Sequence, residues 1–138
     1  MDRVNPARSD DLKAIEQVVR DYIEGFYEGN AARMESALHP ELAKRIARRD
    51  PESGRDYLAE MSALALTQLT RQKAERPTPP AQRQQEIVVF DVSGNAASAK
   101  MIASTWIDYL HLSHINGRWV IVNVLWEMKA GQALKPYW

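Results

Sequence analysis

An Asn116-Gly117 pair set between two runs rich in β-forming residues constrains this chain more than any other feature. The segment reads "WIDYLHLSHINGRWVIVNVLWE", from Trp106 to Glu127. Asn-Gly tolerates positive φ at both central positions of a two-residue hairpin turn, so the pair predicts a tight reversal with Ile115 opposite Arg118. Counting outward pairs Trp119 with His114, Ile121 with Leu112, Asn123 with Leu110, Leu125 with Asp108 and Glu127 with Trp106. Strict alternation then puts these ten residues on one face. The other face carries Ile107, Tyr109, His111, Ser113, Val120, Val122, Val124 and Trp126. One face is mixed apolar and acidic, the other aliphatic and aromatic, so the hairpin needs two different covers.

Bulk properties narrow the function class. The chain has 138 residues, enough to bury a core as one domain spanning 1–138, with a core of about 10–129 and a tail at 130–138. Eighteen basic residues balance eighteen acidic ones, which leaves no electrostatic footprint for nucleic acid or an anionic membrane. With no cysteine there is no disulfide or thiolate metal site, a composition suited to a reducing cytosol. "MDRVNPARSDDLK" has no apolar signal core, and no apolar run approaches a membrane span. The expectation is a cytoplasmic protein without nucleic-acid or membrane partners.

Helices come first. Ser9 suits an N-cap, with Asp10 and Asp11 in the first turn where the helix dipole favours negative charge. Leu12, Ile15, Val18, Val19, Tyr22, Ile23 and Phe26 then recur at helical spacing. Gly29 suits a left-handed cap, and Asn30 starts a shorter helix that His39-Pro40 stops. "ELAKRIARR" at 41–49 reads two ways: propensity favours a helix, while Leu42, Lys44 and Ile46 alternate as in a strand. Asp50-Pro51 or Ser53 opens a third predicted helix, with Tyr57, Leu58, Met61, Leu64, Ala65 and Leu69 on its core face. Pro77, Pro79 and Pro80 mark an extended linker. From Gln85 the period becomes two: "EIVVFDV", a Gly94-Asn95 turn, "AASAKMI", a break near Ala103-Ser104, then the hairpin. Helices followed by an antiparallel meander give an α+β class.

"VVRDYIEGFYEGN", "LHPELAKR" and the hairpin segment together resemble the nuclear transport factor 2-like superfamily, and within it the lumazine-binding-like branch, from about Asp10 to Lys129. The resemblance implies a cone, in which a curved antiparallel or mixed sheet wraps around three N-terminal helices and a pocket opens at the wide end. It also implies an extended segment at 41–49. Relatives of the hairpin motif commonly carry Lys at the positions of Val120 and Val124, which implies that the face of Trp119, Ile121 and Asn123 points inward. Cones of this kind host several chemistries as well as plain binding, so the fold does not name a function.

On that inward face Asp108, Asn123 and Glu127 lie beside Trp106, Leu110, Leu112 and Leu125, the pattern of an apolar pocket with a few convergent polar groups. Two close, desolvated carboxylates cannot both ionise comfortably, so one is expected to hold its proton and act as an acid. By position Tyr22 resembles the oxyanion-holding tyrosine of steroid isomerases of this fold, and Asp108 their second, protonated donor. Their general-base carboxylate has no counterpart, since that segment carries Lys44, Arg45 and Ile46. His39 is a candidate base by its ordinary pKa, and its place before Pro40 equally suits a structural bond. His111 and His114, three apart on a strand, face opposite ways and cannot share a metal. Neither a metal nor a cofactor site is expected.

The expected function is binding of a small, partly apolar, aromatic molecule. Trp106, Phe26, Leu110 and Trp119 supply surface, Asn123 and Glu127 polar contacts, and Asp108, Tyr22 and His39 the acid–base groups. Turnover, if present, would be isomerisation, dehydration or cyclisation. The aliphatic face (Ile107, Tyr109, Val120, Val122, Val124 and Trp126) is expected to form a homodimer. A non-enzymatic association module is the competing expectation.

Overall fold

The computed structural model describes residues 6–134. Helix α1 (Pro6–Glu28) is followed by α2 (Ala31–Ala37), strands β1 (Leu38–Arg49) and β2 (Asp56–Ser62), and helix α3 (Ala63–Lys73). The chain closes with β3 (Glu86–Ser93), β4 (Ala96–Ile102), β5 (Trp106–Ile115) and β6 (Arg118–Met128). The six strands form one sheet in the order β2-β1-β6-β5-β4-β3, antiparallel except where β1 runs parallel to β6. The helices pack on its inner side, giving the expected α+β cone.

Local chemistry explains the helical layer. Helix is already present at Pro6, so Ser9 lies inside α1 rather than capping it. Ile15, Val19, Tyr22 and Ile23 are fully buried, as the apolar stripe required. Gly29 ends α1 at φ 75°, and a Cβ there would lie 2.2 Å from the backbone nitrogen of Ala74. Only glycine allows the end of α1 to meet the end of α3 so closely. The Asn30 side chain accepts from the Arg33 amide at 3.0 Å and starts α2. Arg33 in turn reaches Asp21 and Glu24, each at 2.9 Å, pinning α2 to α1.

Two segments depart from the sequence expectations, and a third that read two ways is decided. Residues 41–49 are strand, with Leu42, Lys44 and Ile46 buried on one side, so alternation prevails over helix propensity. The third helix starts at Ala63 under a Ser62 cap, not near Ser53. Asp50 accepts from the amides of Glu52 and Ser53, and Gly54 takes φ 72°. These bonds turn the chain back into β2 as an edge strand, on which Tyr57 and Leu58 are exposed. The proline linker contains one 3-10 turn at Pro80–Gln82, which proline tolerates at a first helical position.

The hairpin has the predicted turn, with Asn116 at φ 51° and Gly117 at φ 80°. Pairing runs as expected from Ile115↔Arg118 to Leu112↔Ile121, then slips by one at Val122. Beyond this β-bulge His111 faces Asn123, Leu110 faces Val124, Asp108 faces Trp126 and Trp106 faces Met128. A one-residue slip exchanges the faces of everything after it. Asn123, Leu125 and Glu127 therefore leave the predicted inner face, and Val124 and Trp126 take their places in the core. Val120 retains its outer-face parity opposite Ser113, yet is also buried.

Candidate functional site

Three polar side chains from three elements meet in the interior. Tyr22 comes from the buried stripe of α1, Lys44 from the inward positions of β1, and Asp108 from the inner face of β5. Lys44 Nζ donates to the Tyr22 hydroxyl at 2.6 Å and lies 3.9 Å from Asp108 Oδ1. The Trp106 indole N–H donates to Asp108 Oδ2 at 3.0 Å. Lys44 Nζ also lies 5.2 Å from the ring centres of both Tyr22 and Trp126, within cation–π range. Asp108 has no exposed surface and Lys44 only 4%.

Burial governs the protonation of this cluster. It raises the Asp108 pKa, against the opposing pull of the Lys44 charge, the Trp106 hydrogen bond and the neighbouring Tyr22 hydroxyl. It lowers that of Lys44, against the Asp108 charge. It raises Tyr22 well above its ordinary value, reinforced by the Asp108 charge, so the hydroxyl keeps its proton. Acid and amine are thus both pushed toward their neutral forms. Oδ1 of Asp108 has no hydrogen-bond partner among the described residues, and the Tyr22 oxygen is engaged by Lys44. A buried polar atom in that condition costs roughly 1–3 kcal/mol, a cost consistent with a position reserved for another molecule.

Aromatic rings continue from the cluster. Trp106 meets Phe26 edge-on at 5.7 Å and Tyr27 at 6.0 Å. The Tyr27 hydroxyl donates to the Gln84 carbonyl at 2.6 Å and accepts from the Ser104 amide at 3.0 Å, which fixes the loop ahead of β5. A groove of about 460 Å³ is bordered by Ile46, Tyr109, Leu125, Trp126, Met128 and Leu134, among others. Trp126 belongs to both the groove and the cluster. The tail docks here as far as Leu134, which packs against the core; its remaining residues, 135–138, lie outside the described part.

The structure brings Tyr22, Asp108, Trp106 and Phe26 together and leaves Leu110 two residues from Asp108 on the same buried face. It separates the others. Glu127 is exposed on the outer face opposite Ile107, away from the buried cluster, where it borders the groove. Asn123 also points outward, accepting from Arg45 Nη1 at 3.4 Å and meeting His111 Nδ1 at 3.3 Å. Trp119 pairs with His114, six residues along β5 from Asp108 and so roughly 20 Å away. His39 accepts the Glu41 amide on its Nδ1 at 3.0 Å, the structural bond that its place before Pro40 suited. Lys44 was absent from the expected site. The signal for it was its place between Leu42 and Ile46 in an alternating stretch, which turns a lysine inward once the stretch is a strand.

Residues 10–127 match the family described as "Putative lumazine-binding". The chain belongs to that family. Its fold is that of solved nuclear transport factor 2-like proteins, as the first two of the following structures illustrate. A protein of unknown function from Shewanella baltica is 20% identical over 92% of this chain and 100% of its own, with a TM-score of 0.73. One from Methylobacillus flagellatus is 21% identical over 88% and 94%, with a TM-score of 0.67. A Novosphingobium aromaticivorans protein named "Putative Scytalone Dehydratase" is 13% identical over 91% and 89%, with a TM-score of 0.62. At these identities the likeness establishes the fold. Among curated proteins none matches the chain.

Proposed function

We propose that this cytoplasmic protein binds a small, planar, partly apolar molecule bearing a carbonyl oxygen, with Tyr22, Lys44 and Asp108 as its polar contacts. The observation that carries the reading is the orphaned Asp108 Oδ1, fully buried beside a lysine and a tyrosine that share one hydrogen bond. The ligand arrives by the groove that Trp126 borders, and its ring lies against Trp126. A neutral Asp108 carboxyl and the Tyr22 hydroxyl donate to the carbonyl oxygen, while a neutral Lys44 accepts a proton from the adjacent carbon. That division of labour is acid–base chemistry of the isomerase, dehydratase or cyclase type. The name of the family supplies a probe: lumazine is planar, heteroaromatic and carries carbonyl oxygens. Lumazine is expected to raise the melting temperature of the protein, and Asp108→Asn to abolish the rise while the protein stays folded. A lumazine response that survives unchanged in Asp108→Asn would contradict the assignment.

A second reading rests on a different observation. Tyr109 and Leu125 face each other on the outer side of the sheet, 43% and 50% exposed, with Val88, Phe90 and Leu58 also exposed. This patch, continued by Ile107, is proposed to join two copies of the chain across a two-fold axis. Its composition differs from the sequence expectation because Val120, Val124 and Trp126 are buried within the single chain. Leu125→Lys is expected to yield a monomer by sedimentation; a monomeric wild type would end this reading.

A further inference from the structure

A primary amine held out of water beside proton-carrying side chains is equipped to attack a carbonyl carbon, because its lone pair is available and an acid stands ready for the departing oxygen. Lys44 has that setting, with Nζ 2.6 Å from the Tyr22 hydroxyl, 3.9 Å from Asp108 Oδ1 and flanked by the rings of Tyr22 and Trp126. We infer that Lys44 forms an imine with aldehydes or ketones carried on an aromatic ring. The inference rests on the pocket reading above and names the chemistry of its ligand.

The steps balance without a further reactant. The Lys44 lone pair forms a C–N bond, and the carbonyl π pair moves to oxygen, which takes a proton from Asp108. The nitrogen returns a proton to the Asp108 carboxylate. The new hydroxyl then receives that proton and leaves as water as the nitrogen lone pair closes the C=N bond. The carbonyl oxygen thus departs with the original Asp108 proton and one amine hydrogen, while the other amine hydrogen stays on the protonated imine. Tyr22 donates to the oxygen while it carries charge. The protonated imine keeps a cation beside the Asp108 carboxylate and over the rings that now flank the ammonium. Burial also lowers the Lys44 pKa, which enlarges the unprotonated fraction near neutral pH.

The test uses the full chain with benzaldehyde and sodium cyanoborohydride near neutral pH, followed by peptide mapping by mass spectrometry. Benzylation of Lys44 is expected to run about tenfold or more ahead of that of Lys13, exposed on α1. Asp108→Asn should slow labelling of Lys44 by about tenfold or more and leave Lys13 unaffected. Uniform labelling, or an unlabelled Lys44, would overturn the imine in the wild-type protein alone, whatever the variant does. A melting shift with lumazine but no label on Lys44 would overturn the imine and leave the pocket standing. Loss of both would overturn both.

Discussion

The two ends of the sheet each hold a tryptophan whose indole N–H donates to an aspartate, and the two contacts do different work. Near the hairpin turn Trp119 reaches Asp11 of α1 at 3.1 Å, and Asp11 is only partly buried. At the far end Trp106 reaches Asp108 at 3.0 Å, and Asp108 is sealed from solvent with Lys44 and Tyr22 beside it. The first contact ties a helix to a strand and leaves its carboxylate partly open to solvent. The second leaves one carboxyl oxygen without a bond and sets an acid and an amine against each other in low dielectric. Equal geometry at the indole therefore says little about role. Burial and the neighbouring titratable groups decide it.

The largest effect should come from breaking the buried end. Lys44→Met takes away the amine that bonds Tyr22 and lies beside Asp108, and is expected to lose about 1–3 kcal/mol in chemical denaturation. The loss should grow with pH. A lowered Lys44 pKa means that the folded state holds this proton less tightly, so wild type gains stability from the group as pH rises toward its ordinary 10.5. A raised Asp108 pKa works in reverse, losing stability as pH climbs from 3.8 through the folded value. Lys44→Met removes the gain and, by removing the cation that held Asp108 down, deepens the loss. Its melting deficit should widen between about pH 5 and about pH 9, and a narrowing deficit would contradict the protonation scheme. At the other end Asp11→Ala should cost about 1 kcal/mol, with lumazine binding unchanged. Glu127→Gln, on the outer face at the border of the groove, should alter stability by no more than about 0.5 kcal/mol and weaken the lumazine response far less than Asp108→Asn.

Much of the cone was legible because its punctuation is chemical. Asn116-Gly117 demanded a positive-φ turn, Gly29 a left-handed cap, and the α1 stripe a buried face, and each is found in place. The register beyond Val122 was not legible. A bulge adds one residue without altering composition, and "VIVNVLW" is apolar on both parities, so nothing in the pattern marks the slip. That hidden residue moved Asn123 and Glu127 outward and left Asp108 without the carboxylate partner expected for it. Its partner came instead from 41–49, where helix propensity masked an inward-facing lysine. Tertiary pairing of β1 with β2 and β6 overrode that propensity.

The account depends on the unpartnered Asp108 Oδ1 being the position at which a ligand hydrogen-bonds. A crystal structure of the protein grown with lumazine examines this most directly. The expected result is a planar ligand against Trp126 with a polar atom within hydrogen-bonding distance of Oδ1. Lumazine bound without contact to Asp108, with Asp108, Lys44 and Tyr22 in their present contacts, would contradict it.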